Sequence, residues 1–177
     1  MTDRAWAQRL TEAADRQSAQ YGADHPLRGH VGALAAFALY GATLVAVGKL
    51  SGRRLPDHIQ TFDLVLGATA TFRFSKLVTR NTVTDPLRAP FTRYGGPGGP
   101  AETIDEPRGS GVRRTIGELM TCPFCFSVWT ATTYTAGMVL APRATRLIGA
   151  GLTMLTGADL LQLGSTTLTR VATAEHD

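Results

Sequence analysis

The sequence contains only two cysteines, Cys122 and Cys125, and both lie in the stretch TCPFCFSVW. Two thiols alone cannot complete a zinc site, which takes typically four ligands. The sequence also lacks a glycine-rich phosphate loop placed between a strand and a helix, and it shows no nucleophile paired with a base. Motifs alone therefore identify no complete catalytic site.

Charge is absent from two long runs, residues 31–48 and 119–142. A helix of about 18 uncharged residues is long enough to cross the hydrocarbon core of a bilayer. A chain of 177 residues is the size of one ordinary domain, and burying two such runs in so small a soluble core is difficult. The two runs therefore predict membrane helices; buried core helices of a soluble protein are the alternative.

Two further apolar segments contain ionisable residues. Residues 62–78 include Asp63, Arg73 and Lys76, whereas residues 147–168 include only Asp159. The short turn APRATR joins the last segment to the one before it and predicts an antiparallel helical hairpin. We therefore expect an all-α polytopic membrane protein, with about four transmembrane helices in a membrane domain at 31–168, namely 31–48, 62–78, 123–141 and 147–168.

Residues 1–30 precede the first span with mixed charges, which argues against a cleavable signal sequence. Trp6, Leu10 and Ala13 follow helical spacing in this segment. The spacing predicts a cytoplasmic amphipathic helix on the membrane surface or against a partner. A solvated helix is the alternative, and residues 169–177 are expected to form a C-terminal tail.

The basic residues predict the orientation. With four spans, one face would carry thirteen of the 18 Lys and Arg residues, namely Arg4, Arg9, Arg16, Arg28, Arg73, Lys76, Arg80, Arg88, Arg93, Arg108, Arg113, Arg114 and Arg170. Cytoplasmic loops accumulate Lys and Arg. Both termini and the loop at 79–122 are therefore expected in the cytoplasm, where a permanent disulfide between the two cysteines is disfavoured.

The cytoplasmic loop at 79–122 is rich in Pro, Gly and Arg, which predicts irregular structure. Its first part, DPLRAPFTRY, has apolar anchors, and we expect it to dock on the helix ends, with Arg88, Arg93 and Tyr94 as docking or lipid-binding residues. Its second part, GGPGGPAETIDEPRGSG, lacks anchors and is expected to be mobile. Proteases should therefore cut between Gly95 and Gly111 before they cut at Arg88 or Arg93.

Three blocks of the sequence resemble a known family. They are KLVTRNTVTDPLRAPFTRY, GELMTCPFCFSVWTA and MVLAPRATRLIGAGLTMLTGADLLQ, which fall within residues 62–162. Together they resemble the bacterial membrane proteins grouped as domain-of-unknown-function family 1360. The resemblance implies a small multi-pass bacterial membrane protein and supplies no activity. We expect this protein in the inner membrane.

The cysteine motif leaves three readings open. Cys-Pro-Phe-Cys resembles a glutaredoxin-type active site, but the strand that such a fold places before the motif is missing here. Cys122 and Cys125 could instead bind a metal ion together with His25 and His30, or with the thiols of a second chain. The favoured reading is structural: Cys122 precedes a helix, Pro123 occupies its first turn, and Cys125 packs beside Phe126 and Trp129.

Asp159 is the one acid in the last predicted span, where a carboxylate is costly unless it meets a partner or water. Arg73 and Lys76 are its candidate partners. A structural pair is the simpler interpretation, and a proton or solute pathway is the alternative. We therefore expect a noncatalytic membrane component or scaffold, with a membrane thiol-redox or metal-binding protein as the alternative.

Membrane lipids, anionic ones in particular, are the expected partners of the basic loops. The basic residues are interspersed with acids next to the predicted membrane, so nucleic acid is not expected as a partner. We expect no cofactor. A homo-oligomer or a larger membrane complex stays open, because small residues on the predicted helices fit either contact.

Overall fold

The computed structural model describes Gln8, Arg9, Glu12, Ala13, Arg16 and residues 27–174, with the side chains of residues 27, 28 and 174 left out. The predicted amphipathic helix at 1–30, with Trp6 and Leu10, lies largely outside the described residues. His25 and the last three residues of the predicted tail lie outside them too.

The elements of the described chain follow one another with short connections. They are α1 (Leu27–Leu50), α2 (Thr61–Arg80), a 3-10 turn (Thr82–Thr84), α3 (Asp85–Arg88), β1 (Thr92–Pro97), β2 (Thr103–Pro107), α4 (Gly111–Thr121), α5 (Pro123–Leu140) and α6 (Pro142–Ala174). The four segments predicted as helical correspond to α1, α2, α5 and α6, and α6 runs further than predicted at both ends.

Two of the described helices are long and apolar enough to cross a membrane. They cover Gly29–Leu50 and Pro142–Thr173. Helix α2 carries four charged residues, Asp63, Arg73, Lys76 and Arg80, whereas α5 carries none and includes four threonines, Thr130, Thr132, Thr133 and Thr135.

The region at 79–122 corrects the predicted fold class, because it is not an irregular loop. Strands β1 and β2 pair antiparallel, with Thr92 opposite Pro107 and Pro97 opposite Thr103, and the register shifts between Tyr94 and Gly96. The shift leaves Gly95 as the extra residue of a bulge, where glycine is well tolerated. The chain is therefore mostly helical with a two-stranded sheet, and not all-α.

Helix α4 packs against this hairpin. Gly117 is buried, and a Cβ added there would lie 2.6 Å from the carbonyl oxygen of Phe91 and 3.2 Å from Pro107. Glycine thus allows the helix to lie directly against the strand backbone. We call β1, β2 and α4 together the hairpin cap.

Helix α2 lies at the centre of the bundle and packs against α5 and α6. The buried apolar residues of the described chain, Leu66, Ala70 and Val78, all belong to α2. Leu66 and Ala70 are four residues apart and so share a face of the helix. The long helix with the highest proportion of charged residues is therefore also the most enclosed one, which makes its polar contacts the natural place to look for a site.

Candidate functional site

Three charged side chains on α2 pair with three different parts of the chain. Asp63 pairs with Arg146 at the start of α6, and Arg73 pairs with Asp159 further along α6. Lys76 Nζ lies 2.6 Å from Glu102 Oε1, just before strand β2. These ion pairs connect α2 to one helix at two levels and to the hairpin cap at a third.

The Asp63–Arg146 pair is bidentate. Arg146 donates from Nε to Oδ1 at 2.9 Å and from Nη2 to Oδ2 at 2.8 Å. The Asp63 side chain is 7% exposed and that of Arg146 is 47% exposed. The acid is therefore held inside the packed helices, while the guanidinium reaches it from a partly open position.

Asp159 pairs with Arg73, one of its two candidate partners from the sequence, and Lys76 pairs elsewhere. The Arg73 side chain is buried, and its Nε has no hydrogen-bond partner among the described residues. Asp159 keeps 42% of its side chain exposed. The pair thus neutralises a buried arginine on the central helix.

Arg88 is completely buried in a network that joins α2 to the hairpin cap. Its Nη1 donates to the carbonyl oxygens of Val78 and Asn81, at 2.9 and 3.0 Å, and to the hydroxyl of Thr84 at 2.8 Å. Those carbonyls belong to the end of α2, where backbone acceptors lack helical partners. One arginine therefore caps the central helix.

The remaining donors of the same guanidinium bind the hairpin cap and the neighbouring Asp85. Arg88 Nε donates to Asp105 at 2.8 Å, and Nη2 donates to Asp85 at 2.5 Å and to the hydroxyl of Thr103 at 2.7 Å. The rigid fork of an arginine suits several acceptors in fixed directions. We call Arg88, Asp85, Thr103 and Asp105 the Arg88 network.

The segment DPLRAPFTRY therefore folds back on the end of α2, but Arg88 does so from the inside. The suggestion that Arg88 contacts lipid is wrong, because its side chain has no exposed surface. Arg93 and Tyr94 are exposed on β1. Sequence reasoning missed Asp105 and Thr103, and no local pattern marks them, since they lie 17 and 15 residues after Arg88.

The cysteine motif starts a helix. Helix α5 begins at Pro123, and the Cys122 sulfur accepts a hydrogen bond from the backbone N–H of Cys125 at 3.2 Å. Cys122 is half-buried and Cys125 is exposed. The prediction that Cys125 packs as an apolar residue is wrong.

Aromatic packing connects α5 to α1. The ring of Trp129 lies 5.1 Å from that of Phe37 and 5.5 Å from that of Tyr40, measured between centroids. Such distances are typical of aromatic pairs. Trp129 therefore attaches α1 to the bundle.

The predicted metal ligands do not come together in the part of the chain that the structure describes. No group of three or more His, Cys, Asp and Glu side chains there is arranged to hold a metal ion. His30 Nε2 lies 3.6 Å from Glu118 Oε2 on α4. His25, the second predicted histidine ligand, is outside the described residues.

A groove of about 1410 Å³ runs along α2 and α5. At one end it is lined by residues 53–60 with Asp63 and Arg146, and at the other by Lys76, Arg80 and Glu102. Apolar side chains, including Leu64, Phe72 and Phe124, line its length. Sequence reasoning missed the groove because its two walls lie about 60 residues apart in the chain.

Comparison with known proteins gives a family and one distant relative. The family model described as "Protein of unknown function (DUF1360)" matches residues 66–165. "Sporulation protein YjcA" of Bacillus subtilis (strain 168) is similar to this chain, with 37% identity over 76 residues, which are 41% of this chain and 64% of that protein. The match thus spans less than two thirds of the relative, and no solved structure matches the chain.

Proposed function

The chain belongs to the DUF1360 family of proteins of unknown function, and we propose that it is a four-span protein of the bacterial inner membrane that acts as a noncatalytic membrane component or scaffold. In this proposal the helices α1, α2, α5 and α6 span the bilayer. The hairpin cap lies on the cytoplasmic side and offers a rigid surface to partners.

The observation that carries this proposal is the pairing of the charges on α2. A charged side chain within a span is costly and is retained where it has a partner or a task. Asp63, Arg73 and Lys76 each have an oppositely charged partner from another element. Their charges thus hold the architecture together, which supports a structural role over proton or solute transport.

Length and exposure support four spans. Helices α1 and α6 are long and apolar enough to cross a membrane. Helix α2, with 20 residues, and α5, with 18, are about as long as the hydrocarbon core is thick. Large apolar side chains on all four helices are exposed, among them Leu39, Phe72, Val128 and Leu161, as expected for surfaces that face lipid.

The arginine bias supports cytoplasmic termini, and reporter fusions test it. Fusions after residue 55 and after residue 142 should report the outside, and fusions at both termini and after residue 100 should report the cytoplasm. An extracytoplasmic carboxyl terminus would mean that α2 does not cross, which leaves three spans. Extraction of the chain from membranes at alkaline pH would contradict integral insertion altogether.

The relative from Bacillus subtilis is named a sporulation protein, and the similarity covers 76 residues. We propose that this shared part serves as a membrane scaffold in both proteins. Partners captured by crosslinking in cells and purified in mild detergent would identify what the scaffold holds. Failure to recover any specific partner, from a chain shown to be inserted and folded, would count against the scaffold.

The alternative function is a membrane thiol-redox or metal-binding protein, which the exposure of Cys125 favours. Replacing Cys122 and Cys125 together by serine separates the two proposals. A scaffold should keep its crosslinked partners and its thermal stability, since serine at position 122 can still cap α5. Loss of the partners with the fold intact would support the thiol-dependent function.

A further inference from the structure

The groove along α2 and α5 has the length of a bilayer. Helix α2, with 20 residues, rises about 30 Å from end to end, which is about the thickness of the hydrocarbon core. A lipid of one leaflet would therefore occupy half of the groove. The half nearer the hairpin cap has Phe72 and Phe124 as exposed wall residues.

Charged residues line the end of the groove next to the hairpin cap. Glu102 is the acid that lines it, and its carboxylate is held by Lys76 at 2.6 Å. The side chain of Arg80, on the last turn of α2, makes no hydrogen bond or ion pair with any residue that the structure describes. Its positive charge at the mouth of an apolar groove is therefore uncompensated.

We propose that this half-groove binds an anionic phospholipid of the cytoplasmic leaflet, with its acyl chains along Phe72 and Phe124 and its phosphate on Arg80. The inference rests on the proposed four-span topology, which places Arg80 at the cytoplasmic surface, where anionic lipids attract basic residues. Arginine suits a phosphate because its guanidinium can donate two parallel hydrogen bonds.

A second copy of the chain is a less suitable occupant of this half. Helices that dock on one another in membranes favour small residues at the contact, which let the backbones approach closely. Small residues also line this groove, but two large side chains project from the walls of this half, Phe72, which is 58% exposed, and Phe124, which is 84% exposed. Flexible acyl chains can fill the irregular space between such side chains. A straight helix would contact the two phenylalanines before its backbone could approach the groove.

Quenching of tryptophan fluorescence tests the proposal. In the full chain, Phe72→Trp places a reporter in the groove, and Trp6→Phe and Trp129→Phe remove the other signals. The protein is reconstituted in phosphatidylcholine vesicles that contain a minority of either brominated phosphatidylglycerol or brominated phosphatidylcholine. One basic residue at the surface supports about a fivefold preference for the anionic lipid, so quenching by brominated phosphatidylglycerol should be the stronger.

Two arginine variants locate the headgroup. Arg80→Gln should abolish the preference, whereas Arg170→Gln, at an exposed position on α6 outside the groove, should retain it. Equal quenching by both lipids, or a preference that survives Arg80→Gln, would overturn the lipid site. Efficient disulfide crosslinking of two copies through Phe72→Cys, in a chain with both native cysteines replaced by serine and without a lipid preference, would assign the groove to a dimer instead.

The two proposals can fail separately, because insertion is measured first. Each variant is checked for resistance to alkaline extraction and for an unchanged melting temperature. A chain that is extracted by alkali contradicts the four-span function itself. A chain that is inserted and folded but shows no preference contradicts only the lipid site.

Discussion

Asp63 near the start of α2 and Arg146 near the start of α6 are joined by two hydrogen bonds, of 2.9 and 2.8 Å. Further along the same two helices the signs are reversed, since Arg73 on α2 pairs with Asp159 on α6. An antiparallel arrangement would bring Asp63 towards Asp159 and Arg73 towards Arg146, which are like charges. The two pairs therefore specify that α2 and α6 run parallel.

The unequal burial of this pair predicts unequal effects of breaking it. Arg146→Gln leaves the Asp63 carboxylate unpaired and enclosed, which should clearly lower the melting temperature. Asp63→Asn leaves Arg146, which is 47% exposed, free to reach water, and should lower the melting temperature less. Thermal unfolding in a mild detergent measures both changes.

Arg143 provides the matched control, because it is exposed one turn earlier on α6 and pairs with no described residue. Arg143→Gln should change stability by less than about 0.5 kcal/mol. The charge-swapped double variant Asp63→Arg with Arg146→Asp should recover part of the loss. An equal loss for Arg143→Gln and Arg146→Gln would show that the ion pair contributes nothing specific.

The Arg88 network predicts that lysine cannot replace Arg88. Lysine lacks the planar fork, so Asp105 or the carbonyls of α2 would lose their donors inside the protein, at a cost of about 3 kcal/mol. A protease of broad specificity, such as proteinase K, should cut the wild-type hairpin only at the turn, residues 98–102, and this range is narrower than the one predicted from the sequence. In Arg88→Lys the cuts should extend into β1 and β2. Arg93→Lys, at an exposed position, should digest like the wild type.

Tyr134 fits into a depression formed by glycines on α2 and α6. A Cβ at Gly149 would collide with the Tyr134 hydroxyl oxygen, and one at Gly67 would lie 3.0 Å from the ring. Gly149→Ala should therefore lower the melting temperature. Gly151→Ala, two residues along the same helix with open space around it, should have no effect or raise it slightly.

The clash at Gly149 involves the hydroxyl oxygen, which is itself buried without a partner among the described residues. Tyr134→Phe should thus be tolerated alone, and it should restore most of the stability that Gly149→Ala loses. A double-mutant cycle of melting temperatures measures the coupling. Strictly additive effects would mean that the close approach is relieved in another way.

The hydrogen bond from the Cys125 N–H to the Cys122 sulfur predicts a difference between two substitutions of Cys122. Cys122→Ser keeps an acceptor for the Cys125 N–H and should be close to neutral, whereas Cys122→Ala should lose about 1 kcal/mol. Thermal unfolding in a mild detergent measures both variants. Equal losses for Cys122→Ser and Cys122→Ala would show that an acceptor at position 122 contributes nothing.

The sequence by itself determined the four long helices and the start of α5. Residues 31–48 and 119–142 lack charge over a helix of bilayer length, and Pro123 after Cys122 marks a first turn; both signals are local, so the chain order alone carries them. It also gave the candidate partners of Asp159, because few cations occur in the neighbouring segment. It could not choose between Arg73 and Lys76, which lie three residues apart on one face of α2.

Only the tertiary structure decided that residues 79–122 form an ordered cap. The glycines and prolines that suggested a mobile loop instead lie in a bulged hairpin, whose strands are stabilised by pairing with each other and by packing on Gly117. Arg88 likewise looks like a surface residue in the sequence, yet it is buried. Hydrogen-bond acceptors as far apart in the chain as Val78 and Asp105 surround it. Such contacts join residues that are distant in the chain. A charge can be buried only when the folded structure brings all of its hydrogen-bonding and ionic partners around it.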